Sequence, residues 1–181
     1  MPCVRLRPIQ LADAERCYLW ESDPDVARYL GLVQAPLSVE HERAWIASVL
    51  ADRTHQRRFI ILDEHDRPIG SCSLRAIDAA QGTALLGILI GERRNWGQGY
   101  GTAATRALLD HAFGELALRE VRLSCHAGNR RALRCYQKAG FLPSHFEPPR
   151  RVFGAQEVHL AISRERWQQL RGEWQDGEGK S

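Results

Sequence analysis

The chain has 181 residues, a formal net charge of +3, 44% hydrophobic and 26% charged residues, enough for one domain with its own core. The charge is too slight and dispersed for nucleic-acid binding, and no apolar stretch is long enough to span a bilayer. Five scattered cysteines without a C-x-x-C pair, behind an N-terminus that is no signal peptide, point to reduced thiols in a cytoplasmic protein without a metal.

In chain order, "VRLRPI" (4–9) predicts a first strand, and Leu11, Ala14 and Tyr18 a helix after it. Asp23 before Pro24 marks a second helix start, and Ser38 caps a third, in which Trp45/Val49 and Ile46/Leu50 stand four apart. "RRFIILDEHDRPIGSCSLRAI" predicts two strands joined by a turn at Glu64–Pro68. "ALLGILIG" (84–91) has the continuous apolar character of a strand buried on both faces.

A helix with the stripe Leu108, Leu109, Ala112, Phe113 and Leu116 follows, then the alternating strand "EVRLSCH" (120–126). "NRRALRCYQKAGF" (129–141) is a helix bounded by a capping Asn129 and Gly140. "QEVHLAI" alternates as a last strand, and "EWQDGEGKS" is a polar end expected to fray. The order predicts a single α/β domain over 1–167, a mixed sheet flanked by helices, with 168–181 as a polar tail.

The stretch "ERRNWGQGYGTAATRALLDHAFGEL" (92–116) carries the chemistry. Gly97, Gly99 and Gly101 alternate at a helix start whose first turn has no acid, and Arg93 and Arg94 stand upstream. Unpaired N–H groups at a helix N-terminus attract anions, and a glycine turn lets the backbone approach a phosphate. "GYGTAA" also fits a dinucleotide motif, but the following strand ends in His126 rather than a ribose-binding acid, and no G-K-[ST] completes a Walker loop. Arg130 and Arg131 repeat the pattern at the next helix start, so two neighbouring N-termini prepared for anion point to one polyphosphate ligand. A tight structural turn and a solvated arginine pair are the plain alternatives.

"GILIGERRNWGQGYGTAATRALLDHAF" with "NRRALRCYQKAGF" resembles the GNAT superfamily of acetyl-CoA-dependent N-acetyltransferases. Within it, the chain resembles the branch of ribosomal-protein N-terminal, aminoglycoside and diamine acetyltransferases over about residues 4 to 167. The resemblance implies that backbone amides of Gln98, Gly99, Tyr100, Gly101 and Thr102 hold the CoA pyrophosphate. It implies that Leu89, Ile90 and Gly91 run beside the pantetheine, that Asn129 bonds the cofactor arm, and that Tyr136 protonates the departing thiolate. Arg94 is expected to supplement the phosphate site and Arg131 to belong to it. Tyr136 lies seven residues, about two turns, after Asn129, so both can face one side.

Three positions depart from the family pattern: Trp96 replaces a Gln or Arg, Ala103 a frequent Glu, and Leu85 the glutamate that many relatives carry. Leu85 cannot take a proton, which leaves Glu92, His126 and Glu157 near strand ends as candidates, or a water path. Without a strand glutamate, a low-pKa acceptor is expected: an α-amine near about 8 offers more free base than lysine near about 10.4. Glu21, Asp23 and Asp25 are candidates to attract that amine, a small molecule or a protein N-terminus. Cys125 is expected to be a packed thiol, which favours direct transfer over a cysteine intermediate. A CoA-binding or sensing module without catalysis is the alternative, and a nucleotide-binding oxidoreductase a more distant one. No motif read here sets an oligomeric state.

Overall fold

The caps read from the sequence start helices in the computed structural model, which describes residues 2–30, 38–146, 148 and 156–178. Strand β1 (Arg5–Pro8) and a 3-10 turn (Leu11–Asp13) lead into α1 (Ala14–Ser22), α2 (Pro24–Ala27) and α3 (Val39–Ala51). The Asp23 carboxylate accepts from the Asp25 N–H at 2.9 Å and Ser38 Oγ from the His41 N–H at 3.1 Å. Next come β2 (Arg57–Leu62), β3 (Pro68–Asp78), β4 (Thr83–Ile90) and α4 (Tyr100–Asp110), which ends in a π-helical turn at His111–Glu115. The remainder is β5 (Glu120–His126), α5 (Arg130–Lys138), the short β6 (Leu142–Pro143), β7 (Glu157–Ser163) and α6 (Arg164–Glu178).

The strands form one mixed sheet in the order β1-β2-β3-β4-β5-β7-β6, in which only β4 and β5 pair in parallel. Strand alternation sorts the core into two layers. Ile60 and Leu62 face Ala14, Cys17 and Trp20 of α1 and Ile46 of α3. Phe59 and Ile61 belong to the other layer, with Tyr100, Ala104 and Leu108 of α4, Phe113 and Trp167.

Two expectations are corrected. β4 is not buried on both faces: Ala84 and Leu86 are, but residues 87–90 are half-buried. The cause is the register, since β4 and β5 pair only from Thr83↔Glu120 to Leu85↔Arg122 and then continue without pairing each other. A wedge therefore opens in mid-sheet. The C-terminal segment does not fray at Glu173 but stays helical through Glu178, so a domain boundary at 168 falls inside α6. Trp167 explains the docking: it is buried, and its indole N–H donates to Asp110 at the end of α4 at 3.0 Å.

Candidate active site

The wedge between β4 and β5 is one wall of a cavity of about 830 Å³, within the range of small-ligand sites. Leu86 to Ile90 line one side and Ser124 and Cys125 the other. Gly97, Gly99, Gly101 and Thr102 close one end, together with Asn129, Arg131 and Tyr136 of the α5 segment. The two helix starts that the sequence marked as prepared for anion thus face one space.

Glycine is required at Gly97 and Gly99, whose φ angles of +76° and +96° lie in the left-handed region. Gly99 is the N-cap of α4, and the first helical carbonyl bond runs from the Ala103 N–H to the Gly99 carbonyl at 3.0 Å. The Tyr100, Gly101 and Thr102 amides thus precede the first intrahelical bond, and donors at such a start are free for an anion. The side chain of Tyr100 is not part of this cradle. Its hydroxyl donates to the Glu64 carboxylate, 2.9 Å away, tying α4 to the β2–β3 turn. The Gln98 side chain likewise turns away, donating to the Arg94 carbonyl.

Trp96 compensates for the polar residue it replaces in a way the sequence did not reveal. Its indole N–H donates to the Ile90 carbonyl at 2.7 Å, and the Arg131 guanidinium stacks 3.7 Å from its ring centroid. The stack joins the two helix starts and holds a cation beside the glycine turn. Asn129 caps α5, its Oδ1 accepting from the Ala132 N–H at 3.2 Å, and the side-chain amide N–H groups remain as donors.

Two predicted residues lie elsewhere. Gly91 and Arg94 line a separate depression of about 350 Å³ with Trp20, Asp23 and Glu92. At Gly91 a Cβ would fall 2.1 Å from Trp20, so this glycine admits the indole. The Arg94 guanidinium lies 3.7 Å from Glu92.

Tyr136 is 6% exposed and meets Phe141 edge-on at 5.9 Å. Burial raises its pKa well above the ordinary phenol value, with Arg75 opposing, so the hydroxyl stays protonated at neutral pH. Burial likewise pushes Cys125 to about 11, which leaves almost no thiolate to act as a nucleophile.

None of the three base candidates from the sequence lines the cavity. Glu92 accepts from Trp20 Nε1 at 3.1 Å, His126 packs on Tyr29 at 5.4 Å, and Glu157 lies 3.6 Å from His159. The far end instead holds residues that the sequence reading passed over. Arg58 of β2 donates to Glu21 at 3.0 Å and to Ser71 at 3.3 Å, with its guanidinium 4.2 Å from the Trp45 ring centroid. Glu42 of α3 completes the group. A signal was present, because Glu42 shares the buried stripe of Ile46 and Val49. Of the three acids in "WESDPD", Glu21 and Asp25 reach this cavity and Asp23 does not.

The chain matches the family model described as the acetyltransferase (GNAT) domain over residues 4–142. It is 30% identical over 145 residues to the uncharacterized N-acetyltransferase p20 of Bacillus licheniformis, covering 76% of this chain and 80% of that one. To aminoglycoside N(6')-acetyltransferase type 1 of Klebsiella pneumoniae it is 28% identical over 149 residues, covering 76% and 73%. The structure of spermidine N-acetyltransferase from Vibrio cholerae, in complex with CoA and spermine, shares the fold. Its TM-score is 0.80 at 18% identity, over 91% of this chain and 98% of that one. No helix among the described residues is long and apolar enough to cross a membrane. The chain belongs to the GNAT family of acetyltransferases.

Proposed function

We propose that this chain moves an acetyl group from acetyl-CoA directly to a primary amine, with Tyr136 as the acid that receives the leaving thiolate. The observation that carries the reading is the continuity of one cavity. It runs from the glycine turn at Gly97–Gly101 along the splayed strands, past Tyr136, to the carboxylates of α1–α3. The phosphates of CoA fit the first end, with the amides from Gln98 to Thr102 and Arg131 as ligands. Leu89 and Ile90 flank the extended arm, and Asn129 contacts it.

A neutral amine attacks the thioester carbonyl, and the oxyanion that forms is stabilised by backbone N–H groups. As the C–S bond breaks, the Tyr136 phenol donates its proton to sulfur. Full transfer from a buried phenol is uphill, so the proton moves as charge develops on sulfur. The adduct's surplus N–H proton then restores the phenol. The raised Cys125 supports this direct route over a thioester on the enzyme.

The acceptor is a low-pKa amine, of the kind found in aminoglycosides or at protein N-termini, which presents free base near neutrality. The test is a screen with acetyl-CoA over an aminoglycoside, spermidine and two peptides, one with only a free N-terminus and one with only a lysine. Thiol release and the mass of the acceptor are read together. The N-terminal peptide is expected to react faster than the lysine peptide at pH 7. Preference for lysine at a rate independent of pH from about 6 to 9 contradicts the amine-class assignment. No acetylated product from any acceptor contradicts the reading itself.

A further inference from the structure

We propose that Glu42 accepts the proton that the acceptor amine sheds before it attacks, performing on α3 the task that Leu85 cannot perform on β4. The proposal rests on the reading of this chain as an N-acetyltransferase.

Glu42 is 3% exposed, its Oε1 has no hydrogen-bond partner, and it lines the same cavity as Tyr136. A buried, unsatisfied carboxylate oxygen costs folding energy. Nothing in α3 accounts for keeping it: Ser38 caps the helix, and the neighbouring stripe positions Ile46 and Val49 are apolar. A leucine there would pack without that cost.

The charges around it are paired with one another, except that Arg58 Nε, like Glu42 Oε1, has no hydrogen-bond partner among the described residues. Arg58 of β2 is hydrogen-bonded to Glu21 of α1 at 3.0 Å, which makes Glu42 the second carboxylate beside one guanidinium. Asp13 in the 3-10 turn is paired with Arg7 at 2.7 Å, and Asp25 of α2 with Arg93 at 2.6 Å. Cys17 of α1 is pushed up to about 12 by burial and stays neutral. His41 beside it on α3, Tyr29 just after α2 and Arg75 of β3 are further charged and titratable groups that line the cavity. An entering ammonium therefore finds Glu42 Oε1 engaged by no donor among the described residues.

Burial first, and then the like charge of Glu21, raise Glu42 to about 7, against the opposing pull of Arg58. A carboxylate half-ionised near neutrality suits proton transfer. It removes a proton from an amine of pKa about 8 at roughly tenfold cost, but from one near 10.4 at a cost of more than 10³-fold. The preference for low-pKa amines follows from the same residue.

The proton and electron count closes. R–NH3⁺ gives one proton to Glu42, and the freed lone pair forms the N–C bond. Collapse of the adduct breaks C–S, the thiolate takes the Tyr136 proton, and the adduct's second N–H proton restores Tyr136. Glu42 releases its own to solvent. The products are the amide, CoA thiol and one proton.

The test is Glu42→Gln, assayed with the acceptor that the wild-type protein turns over fastest among an aminoglycoside, spermidine and an N-terminal peptide. At pH 7, kcat/KM is expected to fall on the order of 10²-fold with CoA affinity unchanged by calorimetry. Wild-type kcat/KM should level off above about pH 7. That of the variant should keep rising with unit slope toward the amine's own pKa, which narrows the gap by about tenfold per pH unit. Glu42→Asp, which keeps a carboxylate, should retain the levelling-off at a lower rate. It also decides the matter if the glutamine variant does not fold. A Gln variant with the wild-type profile, or a loss equal at every pH, overturns the proposal while leaving acetyl transfer intact. A wild-type protein that acetylates no amine removes both.

Discussion

Tyr136→Phe is expected to lower turnover on the order of 10²-fold while leaving CoA affinity within about twofold, because the ring keeps its packing and only the proton donor goes. The structure sharpens this expectation. Tyr136 is buried and its ring rests edge-on against Phe141, so phenylalanine fills the same space without a cavity. Among the described residues no group is hydrogen-bonded to the Tyr136 hydroxyl, so none of them is stranded by the change. The readout is a split between kcat and the calorimetric CoA affinity. Full activity in Tyr136→Phe would return the residue to the core and leave the thiolate to be protonated by water.

The second large effect is expected at Gly99, and a pair of variants separates its causes. With φ at +96°, any side chain there strains the backbone by about 1–2 kcal/mol, and the added Cβ falls 3.1 Å from Pro2. Gly99→Ala carries that strain alone. Gly99→Glu adds a carboxylate at a helix start proposed to hold a pyrophosphate, where like charges repel. CoA affinity should drop severalfold in the alanine variant and by more than about 10²-fold in the glutamate one, a further loss of at least about one decade, or roughly 1.4 kcal/mol. Equal affinities in the two folded variants would move the phosphate away from this turn. Gly101 is the poorer site for this test. A Cβ there lies 3.3 Å from Cys135 Sγ, so substitution wedges α4 from α5 whatever its charge.

Much of the fold was legible because local chemistry wrote it. Asp23, Ser38 and Asn129 each cap the helix that the sequence assigns to them. Gly99 ends the turn and Gly140 the helix, each with the positive φ that glycine allows. The glycine-turn end of the cavity was legible for the same reason, being built from two short segments whose first turns lack acids. What the sequence could not display is register. A continuous apolar run reads as a doubly buried strand, and only the pairing shows that β5 departs from β4 after Leu85.

The far end was legible only in Glu21 and Asp25, acids that the sequence offers to the amine; chain distance hid Arg58 and Glu42. Glu21, Glu42 and Arg58 come from α1, α3 and β2. Each taken alone is a charged residue on an amphipathic element, and only tertiary packing makes them a cluster. Trp96 was hidden by comparison with relatives: it appeared as a lost polar group, whereas its ring carries Arg131. Arg94 has a basic sequence neighbourhood, and only the structure shows its guanidinium 3.7 Å from Glu92.

The central claim is that the acetyl group passes straight from CoA to an amine within this one cavity. The most direct test is a single turnover with equimolar protein and isotopically labelled acetyl-CoA, quenched at intervals and analysed by intact mass for protein and acceptor together. The account predicts label on the amine in step with CoA thiol release, and no labelled protein at any time. Label that accumulates first on Cys125, or CoA that binds without any label reaching an amine, would contradict it.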